Sequence, residues 1–325
     1  MNVPMSNVAT EYGVHQPASP ILIDGFGRVH TDMRISVTDR CNIRCFYCMP
    51  AENVRFRPRA EILTFEEIER VARVVARLGV RTLRLTGGEP LVRHNVDRLV
   101  RMLTAIPGIE EVALTTNGLL LAEQANALRA AGLQRLNVSL DTLDPGKFRY
   151  ITRRDGFEQV LAGLFAAQRA GFQRIKVNAV AIRGISEEDI VPLGRFAREH
   201  GFEVRFIEFM PLDADDRWEN ERVIPGDEIL TRLREGIGPL RALPVTDPSQ
   251  PATDFQFTDG IGRIGFINPV SQPFCRWCDR LRITAEGKLR NCLFSTVEWD
   301  AREVLRNHGS DDALAELIRK CVANK

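Results

Sequence analysis

Six of the seven cysteines fall into two tight groups. Cys41, Cys45 and Cys48 stand at C-x3-C-x2-C spacing, and Cys275 and Cys278 form a C-x2-C pair with Cys292 beyond it. Clustered thiolates are soft ligands suited to iron–sulfur clusters or to zinc. A four-iron cube has four corners, so each group of three would leave one iron without a protein ligand and open to chemistry. Plainer readings compete. Positions 41, 45 and 48 also fit the i, i+4, i+7 stripe of a buried helix face, and free cysteines are commonly buried. Zinc would need a fourth ligand; for the second group Cys321 or His308 is available.

Cations gather beside the second group. Arg276, Arg280, Arg282, Lys288 and Arg290 lie between Cys275 and Cys292. Alternate residues of a strand share a face, so Arg280 and Arg282 point the same way. Two guanidiniums on one face form a fork for phosphate or carboxylate, although a solvated charged strand is the plainer alternative. Lysine occurs only at positions 147, 176, 288, 320 and 325. Lys176 falls among apolar neighbours in a predicted strand, where an ammonium needs a partner. A bound polyanion would serve, and so would an internal ion pair with Glu208 or Asp141.

These residues must be positioned by a regular frame, and the pattern supplies one. Strands are predicted at 35–37, 82–85, 111–114, 136–140, 175–180 and 204–209. Helices are predicted from the Thr64/Glu67 capping-box pattern onward and near 95–103, 121–131, 157–170 and 187–200. Alternation of this kind predicts an α/β fold with a parallel sheet, either a partial (β/α)6 TIM-like barrel or an open doubly wound sheet. In both, binding groups gather at the C-terminal ends of the strands. Here those ends carry Thr86-Gly87-Gly88-Glu89-Pro90, Thr115-Thr116-Asn117-Gly118, Ser139-Leu140-Asp141 and Glu208-Phe209-Met210-Pro211, and the first strand runs into the cysteine loop. After Pro211 the alternation stops. Residues 213–216 read as a loop, 226–234 as a helix, and 244–253 as a connector. Short antiparallel strands are expected at 255–257 and 261–266, a hairpin at 280–292 turning at Glu286-Gly287, and one last helix over 301–321. Three regions follow: a mobile N-terminal arm (1–20), a barrel (21–211) and a smaller C-terminal α+β extension (212–325).

Composition excludes several classes. The chain of 325 residues is 44% hydrophobic and 27% charged, with a formal net charge of +1, so no global field draws a nucleic-acid backbone. Any anion must be held by a local cluster. No apolar run approaches the roughly 18 residues of a membrane span, and residues 1–20 lack a signal-peptide core. An odd cysteine count with most thiols in clusters points to a reducing compartment, and the expected location is the cytoplasm.

Taken together, the residues resemble the GTP 3′,8-cyclase family of radical S-adenosylmethionine (SAM) enzymes, which act in molybdenum cofactor biosynthesis. The first cysteine motif, with an aromatic before its last cysteine, and the Gly-Gly-Glu-Pro stretch carry the superfamily resemblance. Arg34 to Cys41, Thr115 to Gly118, the Cys275 to Arg282 stretch and Cys292 narrow it to this family over about residues 24–325. The resemblance implies a partial (β/α)6 barrel, a homodimer and two 4Fe–4S clusters facing one cavity. Cys41, Cys45 and Cys48 would hold the cluster that binds SAM, with Tyr47, Gly88, Ser139 and Met210 contacting SAM. Cys275, Cys278 and Cys292 would hold the second, whose open iron meets the guanine of GTP. Arg34, Arg84, Thr115, Lys176, Arg280, Leu281 (through its backbone) and Arg282 would contact GTP, with Arg34, Arg280 and Arg282 the expected catalytic residues. The implied reaction gives (8S)-3′,8-cyclo-7,8-dihydroguanosine 5′-triphosphate, with an electron donor and the next enzyme of the pathway as partners. Family members end in a Gly-Gly tail that reaches the active site, whereas the last residues here are Val322-Ala323-Asn324-Lys325. Binding is expected to survive that departure, and turnover is expected to be sensitive to it. A radical SAM enzyme acting on peptide or RNA would favour more auxiliary cysteines or a basic stripe. A two-cluster electron carrier would need eight cysteine ligands, and the chain has seven.

Overall fold

The computed structural model describes residues 21–212 and 218–325, so the arm predicted at 1–20 and the loop at 213–216 lie outside the described residues. In chain order the elements are β1 (Asp32–Ser36), α1 (Phe65–Arg77), β2 (Thr82–Thr86), α2 (Val96–Thr104), β3 (Glu111–Thr116), α3 (Leu121–Ala130) and β4 (Arg135–Ser139). Then follow α4 (Pro145–Thr152), α5 (Phe157–Arg169), β5 (Ile175–Ala181), α6 (Ile190–His200) and β6 (Glu203–Glu208). The C-terminal part comprises α7 (Gly226–Gly236), β7 (Leu240–Ala242), β8 (Thr253–Phe257), β9 (Arg263–Ile267), β10 (Arg280–Ile283), β11 (Lys288–Arg290), β12 (Trp299–Asp300), α8 (Ala301–Arg306) and α9 (Asp311–Ala323).

Strands β1 to β6 pair in sequence order and in parallel, as βα alternation requires. Each strand separates its two faces by the period-two rule. Met33, Ile35, Leu83, Leu85, Val112, Leu114, Leu136, Val138, Val177 and Val204 are buried in the apolar core shared with the helices. The other face is polar and carries Asp32, Arg34, Arg84, Thr115, Asn137, Lys176, Asn178 and Arg205, all of which line one cavity. Side chains from six parallel strands can border one space only if the sheet wraps around it. The fold is therefore an open, partial barrel.

The C-terminal strands are not a separate layer. β10 pairs in parallel with β1 and β9 in parallel with β6, so eight parallel strands run in the order β10-β1-β2-β3-β4-β5-β6-β9. Each end continues as antiparallel strands, β11 and β12 beyond β10, β8 and β7 beyond β9. The predicted hairpin at 280–292 and the antiparallel neighbours at 255–257 and 261–266 are present; their parallel docking on the barrel was not foreseen.

Two helical expectations need correction. The stretch 301–321 is two helices, because His308 adopts a left-handed φ of 57° and Ser310 caps a new start by accepting from the Ala313 amide at 3.1 Å. A helix absent from the sequence reading, α4, begins where Asp144 accepts from the Lys147 amide at 2.6 Å with Pro145 at its first position.

Candidate active site

The central cavity, about 330 Å³, runs along the polar face of the barrel strands. Of the predicted C-terminal strand ends only Thr86, Thr115 and Met210 line it, whereas Asp32, Arg135, Lys176 and Arg280 line it from at or next to the N-terminal ends of their strands. Its wall unites residues far apart in the chain: Arg34 of β1, Arg84 of β2, Thr115 of β3, Lys176 of β5, Met210 after β6, and Arg280 and Arg282 of β10, with Cys275, Cys278 and Cys292. Register explains the crowding, since Arg34 lies directly between Arg84 and Arg282 across neighbouring strands. Seven cationic side chains line this space among the described residues, against Asp32, Asp247 and Asp279.

Several of these cations lack a carboxylate. Arg135 pairs with Glu111, and Lys176 and Arg205 share Glu203, at 3.1 Å from the Lys176 Nζ and 2.5 Å from the Arg205 Nε. Among the described residues Arg84, Arg280 and Arg282 have no ion pair, and the Arg34 Nε stands 3.9 Å from Asp32, too far for a hydrogen bond. The Nε atoms of Arg34, Arg84 and Arg135 are buried with no acceptor, and the Oδ1 atoms of Asn137 and Asn178 are buried with no donor. A buried group left this way costs about 1–3 kcal/mol. Burial, then the charges of Arg34 and Arg135, push the Arg84 guanidinium down to about 9. Burial, then Arg34 and Arg280, push Arg282 down to about 10. For Lys176, burial and then Arg205 outweigh Glu203 and bring it to about 8. An anion entering the cavity would relieve all three.

Lys176 therefore has an internal partner, but it is Glu203 rather than Glu208 or Asp141. The Glu208 carboxylate accepts from the Val270 and Ser271 amides at 2.8 and 2.9 Å, and Asp141 is engaged by Tyr47.

The second cysteine loop forms part of the cavity wall. The Cys278 sulfur accepts from the Arg280 Nε and an Arg280 terminal nitrogen, both at 3.1 Å, and from the Lys325 Nζ at 3.5 Å. Burial opposes ionisation of this thiol, yet Arg280 and Lys325 hold it below the ordinary thiol range. Cys321 belongs to the apolar core, packed on the inner side of α9. Among the described residues no three His, Cys, Asp or Glu side chains close on a single ion. Three free, soft sulfurs beside cations fit an anionic iron–sulfur cube, whose ligands address separate corners.

The first cysteine group lies in the loop after β1, not on a helix. Glycine is required beneath it. A Cβ on Gly88 would lie 2.4 Å from the Arg40 carbonyl oxygen, and one on Gly87 would lie 2.5 Å from the Thr38 carbonyl oxygen. The close approach that Gly88 permits is thus to the cysteine loop's own backbone, tied by Gly88 N–H to Thr38 O and Glu89 N–H to Arg40 O, both 2.8 Å. Glu89 accepts from the Thr116 hydroxyl at 2.7 Å and the Asn117 amide at 2.6 Å, and burial still pushes it up to about 7. Asn117 in turn donates through Nδ2 to Asn42 at 2.7 Å. The Tyr47 hydroxyl donates to Asp141 at 2.6 Å, and the Val180 amide donates to the same carboxylate at 2.8 Å. Three free sulfurs in one loop braced from several sides match three corners of a cube.

The expected SAM contacts divide. Tyr47 and Ser139 line a small cleft with Cys45, Met210 lines the central cavity, and Gly88 sits under the loop. The first group's cysteines do not line the central cavity, although the resemblance implied that both groups face it. Leu281 is fully buried on the helix side, so only its backbone lies between Arg280 and Arg282. Sequence reasoning missed Asp32, Arg135, Asn137, Asn178 and Arg205. For Arg135, Asn137, Asn178 and Arg205 the signal was available, since each is a polar residue inside a predicted strand or at its edge. Asp32 lies before the strand predicted at 35–37, because β1 begins three residues earlier.

Comparison with known proteins follows the same division of the chain. Residues 35–197 match the radical SAM superfamily and residues 202–325 match the family described as Molybdenum Cofactor Synthesis C. The GTP 3′,8-cyclase of Rhodopirellula baltica is 50% identical over 323 residues, covering 98% of this chain and 90% of that protein. The enzyme of the same name from Acidothermus cellulolyticus is 47% identical over 304 residues, covering 92% and 84%. Among solved structures, Streptococcus suis SuiB bound to S-adenosylmethionine superposes with a TM-score of 0.62 at 19% identity, over 90% of this chain and 68% of that one. Methylornithine synthase (PylB) gives 0.52 at 15% identity, over 91% and 83%. At such identities the two structures speak for the fold alone.

Proposed function

The chain belongs to the GTP 3′,8-cyclase family of radical SAM enzymes, and from that membership we infer that it converts GTP to (8S)-3′,8-cyclo-7,8-dihydroguanosine 5′-triphosphate, the first step of molybdenum cofactor biosynthesis. One observation in the molecule carries the reading furthest. A cavity lined by arginines without carboxylate partners adjoins three free thiols, as a nucleoside triphosphate meeting a metal cluster would require.

In this reading Cys41, Cys45 and Cys48 hold one 4Fe–4S cluster, and Cys275, Cys278 and Cys292 hold another. With SAM, the first cluster would supply the one-electron chemistry that starts hydrogen abstraction from the ribose. The chain's own residues do the rest. Arg34, Arg84, Arg280 and Arg282 offer guanidinium forks to the triphosphate, Lys176 adds a point charge, and Thr115 offers a hydroxyl. The new bond joins C3′ and C8 of one molecule, so the chief task is to hold ribose and guanine in contact while water is kept out. Tyr47, Gly88, Ser139 and Met210 are the residues assigned to SAM. The six βα units span residues 21–211, and residues 212–325 extend the same sheet at both edges and bring the second cluster to the cavity wall. A homodimer, an external electron donor, handover to the next enzyme of the pathway and a cytoplasmic location complete the reading. Among the described residues no helix is long and apolar enough to cross a membrane.

Arg282 provides the direct test, because it touches neither cysteine loop through a hydrogen bond. A hydrogen bond to a charged group contributes about 1.5–3 kcal/mol, so Arg282→Ala is expected to weaken GTP binding by about 10- to 100-fold with iron content unchanged. Unaltered GTP affinity at full iron content would remove Arg282 from the site.

A further inference from the structure

A buried charge network outside the substrate site has no part in the chemistry above. Residues 23–29 form a tight turn closed by an antiparallel bridge between Ile23 and Val29. Inside it the Asp24 side chain is fully buried. Its Oδ1 accepts from the Phe26 and Arg28 amides at 2.9 and 3.0 Å, and its Oδ2 accepts from the Arg28 Nε at 2.7 Å and from the His30 Nε2 at 3.0 Å. Burial works against this carboxylate, but the hydrogen bonds from His30 and Arg28 hold it at about 2. His30, fully buried, is pushed down to about 4 by burial and then by Lys325, so it is neutral at pH 7 and donates through Nε2. The negative charge of Asp24 is thus reserved for Arg28.

Arg28 is held at both ends. While Asp24 fixes its Nε, one terminal nitrogen donates to the carbonyl oxygen of Cys275, and its guanidinium lies 4.9 Å from the Phe26 ring centre. Immediately past the network, the Thr31 hydroxyl donates to the Asp279 carboxylate at 2.7 Å. The beginning of the described chain therefore grips the Cys275–Asp279 turn at its first and last residues, across some 250 residues of sequence. An ordinary surface ion pair would not reach the backbone of a metal ligand.

We propose that the segment from Asp24 to Thr31 is a brace for the second cluster: Asp24 aims Arg28 at the Cys275 carbonyl, Thr31 holds Asp279, and the pair of contacts keeps Cys275 and Cys278 placed to take up iron. The proposal rests on the reading that these cysteines hold a cluster. Arg28 and Thr31 are positioning residues, since neither touches GTP or SAM in that reading. Partners of this outer kind typically change metal affinity by about 10- to 100-fold.

Two single-cluster backgrounds separate the possibilities. One full-length protein has Cys41, Cys45 and Cys48 replaced by alanine, and the other has Cys275, Cys278 and Cys292 replaced. Each is reconstituted anaerobically, and iron release to a chelator is followed by absorbance, with the reduced cluster's EPR spectrum recorded. In the background that keeps the second cluster, Arg28→Ala is expected to release iron about 10-fold faster. Arg28→Lys, which keeps a donor, should fall between. In the other background Arg28→Ala should leave the rate unchanged. Equal rates with and without Arg28 in the second-cluster background would overturn the brace. Equal acceleration in both backgrounds would also overturn it, by showing general loosening. If the second-cluster background takes up no iron even with Arg28 present, the assignment of Cys275, Cys278 and Cys292 as ligands fails, and the brace with it.

Discussion

At the residue scale, the site's chemistry is set by which charges lack partners. Lys176 is the most informative, because burial and Arg205 bring it to about 8 although Glu203 lies 3.1 Å away. A bound triphosphate favours the ammonium and raises its pKa, so binding takes up a proton wherever free Lys176 is partly neutral. By linkage GTP affinity should fall as pH rises from 7 through 8. Lys176→Met should weaken binding at pH 7 and flatten that slope, which calorimetric titration in buffers of different ionisation heat measures directly. An identical slope in the variant would assign the proton to another group. Gly88 gives a steric test. An alanine methyl there would meet backbone oxygens of Arg40 and Asp39 at 2.4 and 2.9 Å, neither free to swing aside. Overpacking of this kind costs about 1–3 kcal/mol. Gly88→Ala is expected to lose the iron of the first cysteine group and SAM binding while the second group's iron stays.

At the element scale, local signals were legible where side chain and backbone chemistry coincide. The Thr64/Glu67 box is present in full, with Glu67 N–H to the Thr64 hydroxyl at 3.1 Å and Thr64 N–H to the Glu67 carboxylate at 2.7 Å. Glu67 also binds Arg306 of α8 at 2.7 Å, so one side chain starts α1 and ties the C-terminal part to it. Thr64→Ala should cost about 1 kcal/mol in chemical denaturation. Glu67→Ala should cost more, by up to about 1 kcal/mol for a partly exposed ion pair. Equal losses would mean that the bridge to α8 contributes nothing. α4 went unread because its buried stripe is only Phe148, Ile151 and Thr152, too short for periodicity to register. Its Asp144-Pro145 start was the usable cue. The break between α8 and α9 had a usable signal, since residues 306–312 carry no apolar side chain and His308, Gly309 and Ser310 supply the turn and the new cap.

At the scale of the whole molecule, the cysteine loops and the six βα units could be read from local spacing, but the closure of the site could not. β10 is four residues long and β9 five, and nothing in either stretch specifies a parallel partner some 60 to 250 residues away. Yet that docking puts Arg282 beside Arg34 and turns two separate arginine-bearing strands into one anion-binding wall. The same docking brings Cys275, Cys278 and Cys292 to the cavity. Whether this composite cavity binds GTP for cyclisation can be decided by one assay. Anaerobically reconstituted, reduced protein is given SAM with and without GTP, and 5′-deoxyadenosine and nucleotide products are quantified by mass spectrometry. GTP-dependent 5′-deoxyadenosine is expected together with a new isomer of GTP. With both clusters present, 5′-deoxyadenosine formed at the same rate without GTP, and no isomer with it, would rule out GTP cyclisation in this cavity.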